Sequence, residues 1–347
     1  MVKNHPDVEF HFIFDRPFDE KFIYGPNVVP HVLFPPARHP FLFIAWFDYA
    51  LPRLLRKIKP DVFFSPDGYL SLRTDIPQVP VIHDINFFHY PEYFNFWVRW
   101  HFNTWFPQFA KKAEHIITIS EFSKQDIAKN YRVDEKKITV AYNGIEQTPV
   151  GYTTQEIKII ADTYTSGKPY MIFIGALYPR KNLTNQLLAF DAFKEITNSD
   201  LVFVIVGKEY EESKSIFETY HGLKHKKDVI FTGRIDPREN LDKLLSGAIM
   251  NSYVSNFEGF GLPVLESMRA GVPVITGNNS ALPEVASDAA LLVDASSIEK
   301  ISGGYLKLYQ DASLRNILIE KGKEQIKKFI WDDTEKKVWE VLSQIRP

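Results

Sequence analysis

The stretch Ser255-Asn256-Phe257-Glu258-Gly259-Phe260-Gly261-Leu262-Pro263-Val264-Leu265-Glu266 sets the reading of the chain, because it places two carboxylates on either side of a Gly-x-Gly turn and a proline. Proline suits the first position of a helix, where its missing N–H would have had no partner, so a helix is predicted from Pro263 to Ala270 with Gly271 as its cap. The free N–H groups around Gly259, Gly261 and Leu262 then point out of the helix start with the positive end of its dipole behind them, a seat for a phosphate. The glycines let such a ligand come close. Glu258 falls on the loop and Glu266 one turn inside the helix, so the two carboxylates can bracket a ligand whose phosphates occupy the helix start. The plainer reading of the pair is a capping carboxylate and a solvated helix glutamate.

Upstream, Tyr170–Gly175 and Leu201–Gly207 read as buried parallel strands that end in glycine, followed by Val229–Gly233, Ala248–Val254 and Val272–Gly277. Strand ends of this kind leave a low rim on which a ligand can lie. After the first of them comes Ala176-Leu177-Tyr178-Pro179-Arg180-Lys181-Asn182, opening a helix over Leu183–Ile196. Two cations at a helix start oppose the dipole, and a bound diphosphate would remove the conflict. A solvated basic pair is the alternative.

The first half carries shorter β-rich runs: Val8–Phe14, Val28–Phe34, Asp61–Ser65, Val79–His83, His115–Ser120 and Ile138–Tyr142. Helical spacing at Phe47–Lys59 and Ser123–Asn130 between them makes this half a doubly wound α/β domain as well. His83-Asp84 falls at the carboxyl end of a predicted strand, where open α/β sheets bind ligands, although a lone histidine there is commonly structural. From Phe87 to Phe109 the chain is dense in aromatic residues, including Trp97, Trp100 and Trp105, with Arg99, Lys111 and Lys112 nearby. Two readings stay open: core packing, or an amphipathic surface at a membrane interface.

Composition bounds the rest. A length of 347 residues predicts about two domains. A formal net charge of −2 gives no basis for nucleic-acid binding. The chain contains no cysteine, which fits a reducing, cytoplasmic setting. Its longest apolar run, Phe41–Phe47, falls far short of the roughly 18 residues that span a bilayer, and there is no signal-peptide pattern. No acidic triplet or His/Cys cluster has metal-ligand spacing, so neither a metal nor a cofactor is expected.

The two strings Pro179–Asn182 and Ser255–Glu266 resemble the donor-site signatures of the retaining nucleotide-sugar glycosyltransferases of family four, also called glycosyl transferases group 1. The likeness extends from about residue 8 to 342. It implies the GT-B fold, two facing Rossmann-like doubly wound domains with a cleft between them: residues 1–150 on the acceptor side, 151–330 binding the nucleotide sugar, and a last helix in 331–347 that returns to the first domain. It also implies site roles. Glu258 and His83 would face the transferred sugar or the acceptor, Arg180 and Lys181 would grip the diphosphate, the Gly259-Phe260-Gly261-Leu262 backbone would seat it, and Glu266 would hold the ribose. Val254 stands where the family often has proline, and Ala176 where a common variant has arginine, a loss that Arg180 would offset.

The resemblance implies transfer of a hexose, mannose or rhamnose in relatives with a Pro-Arg-Lys-Asn loop, from a donor such as GDP-mannose or a UDP-hexose to a glycan or lipid-linked acceptor. Such acceptors would place a cytoplasmic enzyme at the inner face of the cell membrane. A nucleotide-sugar epimerase and a non-catalytic nucleotide-sugar-binding protein are the rival readings. In the family a further strand and a glycine-bearing loop precede the segment matching Val8–Phe14, so that segment and Asp61–Ser65 are expected to flank a gap in the sheet.

Overall fold

The computed structural model describes residues 1–37 and 39–345. The chain divides into two compact units, Met1–Tyr142 with the chain from Asp332 onward, and Asn143–Trp331.

In the first unit the strands are β1 (Phe10–Phe14), β2 (Val28–Val32), β3 (Phe63–Ser65), β4 (Gln78–Pro80), β5 (Ile116–Thr118) and β6 (Ile138–Val140). They form three parallel pairs, β1 with β2, β3 with β4 and β5 with β6, and a bridge from Val81 to Ile117 joins the last two pairs. Among the described residues no ladder joins β1 to β3. Ile13 of β1 and Phe63 of β3 nevertheless pack on one cluster, built from Trp46, Leu51 and Leu55 of the helical run between β2 and β3. β1 is only half-buried along its whole length, as a strand paired on one edge should be. That helical run begins at Pro40, earlier than the predicted Phe47, and reaches Ile58 through a π-helical turn over Trp46–Ala50.

The aromatic segment splits along its length. In the helix Phe96–Lys112 the carboxyl-terminal half is core: Phe106 and Phe109 are buried with Leu70, Ile82 and Ile116, and Phe102 and Trp105 pack against them. The amino-terminal end is not, since Phe96 and Trp97 are 60% and 51% exposed. The helix Trp331–Gln344 belongs from Asp332 to this unit, where Thr334 Oγ1 donates to the Tyr142 carbonyl (2.6 Å) and Trp339 stacks on His5 at 3.7 Å.

The second unit holds one six-stranded parallel sheet: β7 (Tyr170–Ile174), β8 (Val202–Val206), β9 (Val229–Gly233), β10 (Met250–Tyr253), β11 (Val274–Gly277) and β12 (Leu291–Val293), in the order β12-β11-β10-β7-β8-β9. β7 and β8 read as unbroken apolar runs because both faces are covered. Tyr170, Ile172, Val202 and Val204 face one way, onto Leu241, Leu244 and Leu245 of the helix Arg238–Ser246. Residues of opposite parity face the other way, where Phe203 meets Phe190 of the helix Leu183–Thr197 at 5.5 Å between ring centroids. β7 and β10 are neighbours from which successive strands are added in opposite directions, so the sheet has its topological switch point between their carboxyl ends. Ligands of open α/β sheets bind at such a point.

Candidate active site

Both motif loops leave the sheet at that switch point, one after β7 and one after β10. Pro179–Lys181 forms a short 3-10 turn, and Asn182 follows in the left-handed region (φ 59°) before the helix Leu183–Thr197 begins. The cations therefore precede the helix rather than occupy its first turn. Asn182 suits that conformation, and its amide donates to the carbonyls of Val254 (3.1 Å) and Ala295 (2.8 Å), tying the turn to the end of β10. The turn is held from below by Gln186, which donates to the Lys181 carbonyl at 2.8 Å and accepts from Ser252 Oγ of β10 at 2.7 Å.

Glu258 is where the two loops meet. Lys181 Nζ donates to its Oε1 at 2.6 Å, and Arg180 Nη1 donates to its Oε2 and to the Phe257 carbonyl, each at 3.1 Å. The expected conflict between two cations and the helix dipole is thus met inside the protein by a carboxylate. Burial alone would raise the Glu258 pKa, but Lys181 and Arg180 outweigh it and hold the carboxyl below its ordinary value. The loop is fixed further by Ser280 Oγ, which accepts from the Glu258 N–H at 3.1 Å. Arg180, Lys181 and Glu258 together carry a formal charge of +1. Arg180 is the more open cation, its side chain 22% exposed against 9% for Lys181.

The helix after this loop spans Leu262–Arg269, with Pro263 in its first turn and Gly261 at its cap in the positive-φ region (104°). Proline takes the second helical position rather than the first. Gly261 also leaves no room for a side chain, since a Cβ there would approach Leu282 to 2.9 Å. Phe260 is buried and its ring meets Phe329 edge-on at 5.5 Å, a packing contact. Glu266 lies inside the helix and accepts from Arg238 Nη2 at 2.7 Å. In the first unit His83 lies three residues beyond β4, exposed, with Nε2 3.0 Å from the Pro66 carbonyl.

The structure thus gathers Arg180, Lys181, Glu258, Gly259, Gly261 and Leu262 in one region of the second unit. Two partners had no signal in the sequence. Tyr253 reads there as one more strand residue, yet its hydroxyl accepts from Lys181 Nζ at 2.6 Å and lies 3.0 Å from Glu258 Oε1. Arg238 is too far from Glu266 along the chain for any spacing rule to connect them.

A doubly wound unit with a cationic, carboxylate-bearing cluster at its switch point is a nucleotide-binding architecture in class. Comparison with known proteins makes the assignment specific. The family model "Glycosyl transferases group 1" matches residues 156–325, and "Glycosyltransferase Family 4" matches residues 7–148. An O-antigen chain mannosyltransferase B of Escherichia coli is 29% identical over 284 residues, covering 80% of this chain and 73% of the relative. An O-antigen chain mannosyltransferase of Salmonella typhimurium is 29% identical over 217 residues, covering 62% of this chain and 56% of that protein. Among solved structures, Anabaena HepE in complex with UDP-glucose superposes with a TM-score of 0.73 at 14% identity, over 96% of this chain and 91% of that one, which shows the fold. The chain belongs to the family-four glycosyltransferases of the GT-B fold.

Proposed function

We propose that this glycosyltransferase moves mannose, with retention of configuration and without a metal ion, from a nucleotide-sugar donor to a glycan or lipid-linked acceptor. The carrying observation is the Arg180–Lys181–Glu258 cluster beside the Leu262 helix start at the switch point of the sheet. When the bond from the anomeric carbon to the donor phosphate breaks, its electron pair leaves with the nucleoside diphosphate. Arg180, Lys181 and the N–H groups at Gly259, Gly261 and Leu262 stabilise that growing charge, the task a divalent cation performs in other enzymes. The acceptor oxygen bonds to the same face of the sugar and passes its proton to the departing phosphate. Glu258 faces the sugar as a fixed charge: with three hydrogen bonds and a lowered pKa it is a poor nucleophile, unlike the carboxylate of a retaining glycosidase. Glu266 binds the ribose, and exposed His83 meets the acceptor or sugar.

Mannose is favoured by the names of the two O-antigen relatives. GDP-mannose and UDP-hexoses, tested as donors with mannose-terminated glycan acceptors in the presence of EDTA, decide the matter. The reading expects an α-linked mannosyl product by NMR from GDP-mannose. An inverted linkage, or transfer restored only by added metal, would overturn it, and an isomerised sugar from donor alone would mark an epimerase.

The acceptor side carries a second part of the proposal, contact with an anionic membrane surface. Phe41, Leu42, Phe96 and Trp97 are exposed, and the rings of Phe41, Trp97 and Trp100 adjoin at 5.6–6.4 Å. Leu33–Lys59 contains Asp48 as its single carboxylate and Phe94–Ala113 contains none, while Arg53, Arg56, Lys57, Lys59, Arg99, Lys111 and Lys112 supply positive charge. Exposed aromatic rings on segments poor in carboxylates suit the headgroup region. No helix among the described residues is long and apolar enough to cross a membrane. Vesicles containing phosphatidylglycerol should cosediment with the chain, and Trp97→Ala with Phe41→Ala should lower that binding about tenfold or more. Equal binding to neutral vesicles in high salt would remove the electrostatic part, and unchanged binding by the double variant would remove the surface.

A further inference from the structure

Tyr253 ends β10 and is fully buried, its ring nearly parallel to that of Phe173 with centroids 6.0 Å apart. Phenylalanine would fill the same space. What it would lack is the hydroxyl, and an hydroxyl placed in the interior costs stability unless it is bonded. Here Lys181 Nζ donates to the Tyr253 oxygen at 2.6 Å, the phenolic O–H is 3.0 Å from Glu258 Oε1, to which it donates, and Lys181 closes the triangle to that same oxygen at 2.6 Å. A lysine ammonium on its flexible stem can swing about a single contact. A second anchor, rooted in a central strand whose own carbonyl accepts from Thr276 Oγ1 at 2.8 Å, removes that freedom.

We propose that Tyr253 is a positioning residue for sugar transfer, its hydroxyl holding the Lys181 ammonium and the Glu258 carboxylate in one geometry so that the cation meets the donor diphosphate while the carboxylate meets the sugar. The inference rests on the roles given above to Lys181 and Glu258. Burial and the neighbouring Glu258 charge push the phenol well above its ordinary pKa, so it remains a neutral donor and acceptor wherever the enzyme works. Misplacing a charged group by a fraction of an ångström is felt in the transition state more than in the binding of the leaving nucleotide.

The test compares Tyr253→Phe, Lys181→Ala and Glu258→Gln in the full chain, with GDP-mannose as donor and GDP as the binding probe, and with UDP-glucose and UDP in a second arm. Tyr253→Phe should lower kcat about tenfold or more while the Kd for the nucleoside diphosphate changes by less than about threefold. The acid limb of its pH–rate profile should move to higher pH, because the Glu258 carboxylate has lost a donor. In a Glu258→Gln background the same change should add little. Phe173→Leu, which disturbs the packing of the ring and leaves its hydroxyl in place, should lower the melting temperature without moving the acid limb. A Tyr253→Phe enzyme with wild-type kcat and an unmoved limb, beside impaired Lys181→Ala and Glu258→Gln variants, would overturn the proposal and leave the site reading intact. Wild-type behaviour of Lys181→Ala and Glu258→Gln would overturn both.

Discussion

Glu258→Gln is expected to lower transfer by roughly two to three orders of magnitude, the loss seen when one preorganised electrostatic group is removed from a reacting centre, while the binding of bare GDP or UDP holds or tightens. The sign of the second effect follows from the cluster. Glu258 neutralises part of the charge on Lys181 and Arg180, from which it lies 2.6 and 3.1 Å away, and its replacement raises the local surplus by one positive charge. At a separation of 5 Å and an effective dielectric constant of about 20, one charge is worth roughly 3 kcal/mol to an anion before screening, so a gain of about tenfold in nucleotide affinity is a conservative expectation. Paired calorimetry and turnover measurements check it, and a parallel loss of binding and turnover would place Glu258 in the diphosphate site instead.

The same variant carries a pH signature. The folded-state pKa of Glu258 is depressed, so the ionised carboxylate contributes stability that is present above the ordinary value of 4.5 and disappears as the pH falls through its lower folded value. Melting temperatures of wild type and Glu258→Gln should therefore differ at neutral pH and converge below 4.5. A gap that persists unchanged into acid would mean that the glutamine perturbs packing instead of charge.

The fold was legible wherever strands were buried on both faces. β7, β8 and β9 show as apolar runs broken by glycine, and their observed spans differ from expectation by a residue or so at each end. β12 had no such signal: Leu291–Val293 is a three-residue edge strand, too short for any periodicity to separate it from the residues around it. The carboxylate and glycine loop could be read because a helix start imposes local rules that proline and glycine make visible. The partnership between Lys181 and Glu258 could not, because it is made by two loops that only the parallel pairing of β7 and β10 brings together. Hence the sequence suggested cations waiting for a diphosphate, whereas the folded chain supplies its own counter-charge. The aromatic segment was ambiguous for a different reason. One helix performs both tasks, core at Phe106 and Phe109 and surface at Phe96 and Trp97, and composition averages over the two.

Separating the diphosphate and ribose subsites gives the second large effect. Lys181→Ala should weaken nucleoside diphosphate binding by about 2 kcal/mol, near thirtyfold, because a charge-assisted contact is lost from a partly dry site. Arg180→Ala should cost less than Lys181→Ala. In both variants one cation is lost beside the carboxylate, but after loss of Arg180 it keeps its closer cationic partner at 2.6 Å, whereas after loss of Lys181 the cation it keeps is Arg180 at 3.1 Å, beside the neutral Tyr253 hydroxyl at 3.0 Å, and it opposes the incoming anion more strongly. Glu266 provides the contrast. Its Oε1 is taken by Arg238 at 2.7 Å, which fixes the carboxylate and directs its remaining acceptor capacity to the ribose hydroxyls in the proposed donor complex. Glu266→Gln should then weaken GDP or UDP, while inorganic pyrophosphate, which has no ribose, should bind as well as before. Lys181→Ala should weaken the nucleotides and pyrophosphate alike. Competition titrations of the two variants with pyrophosphate and with nucleoside diphosphate read both effects together, and if pyrophosphate were lost equally from both, the separation into a diphosphate subsite at Lys181 and a ribose subsite at Glu266 would be wrong.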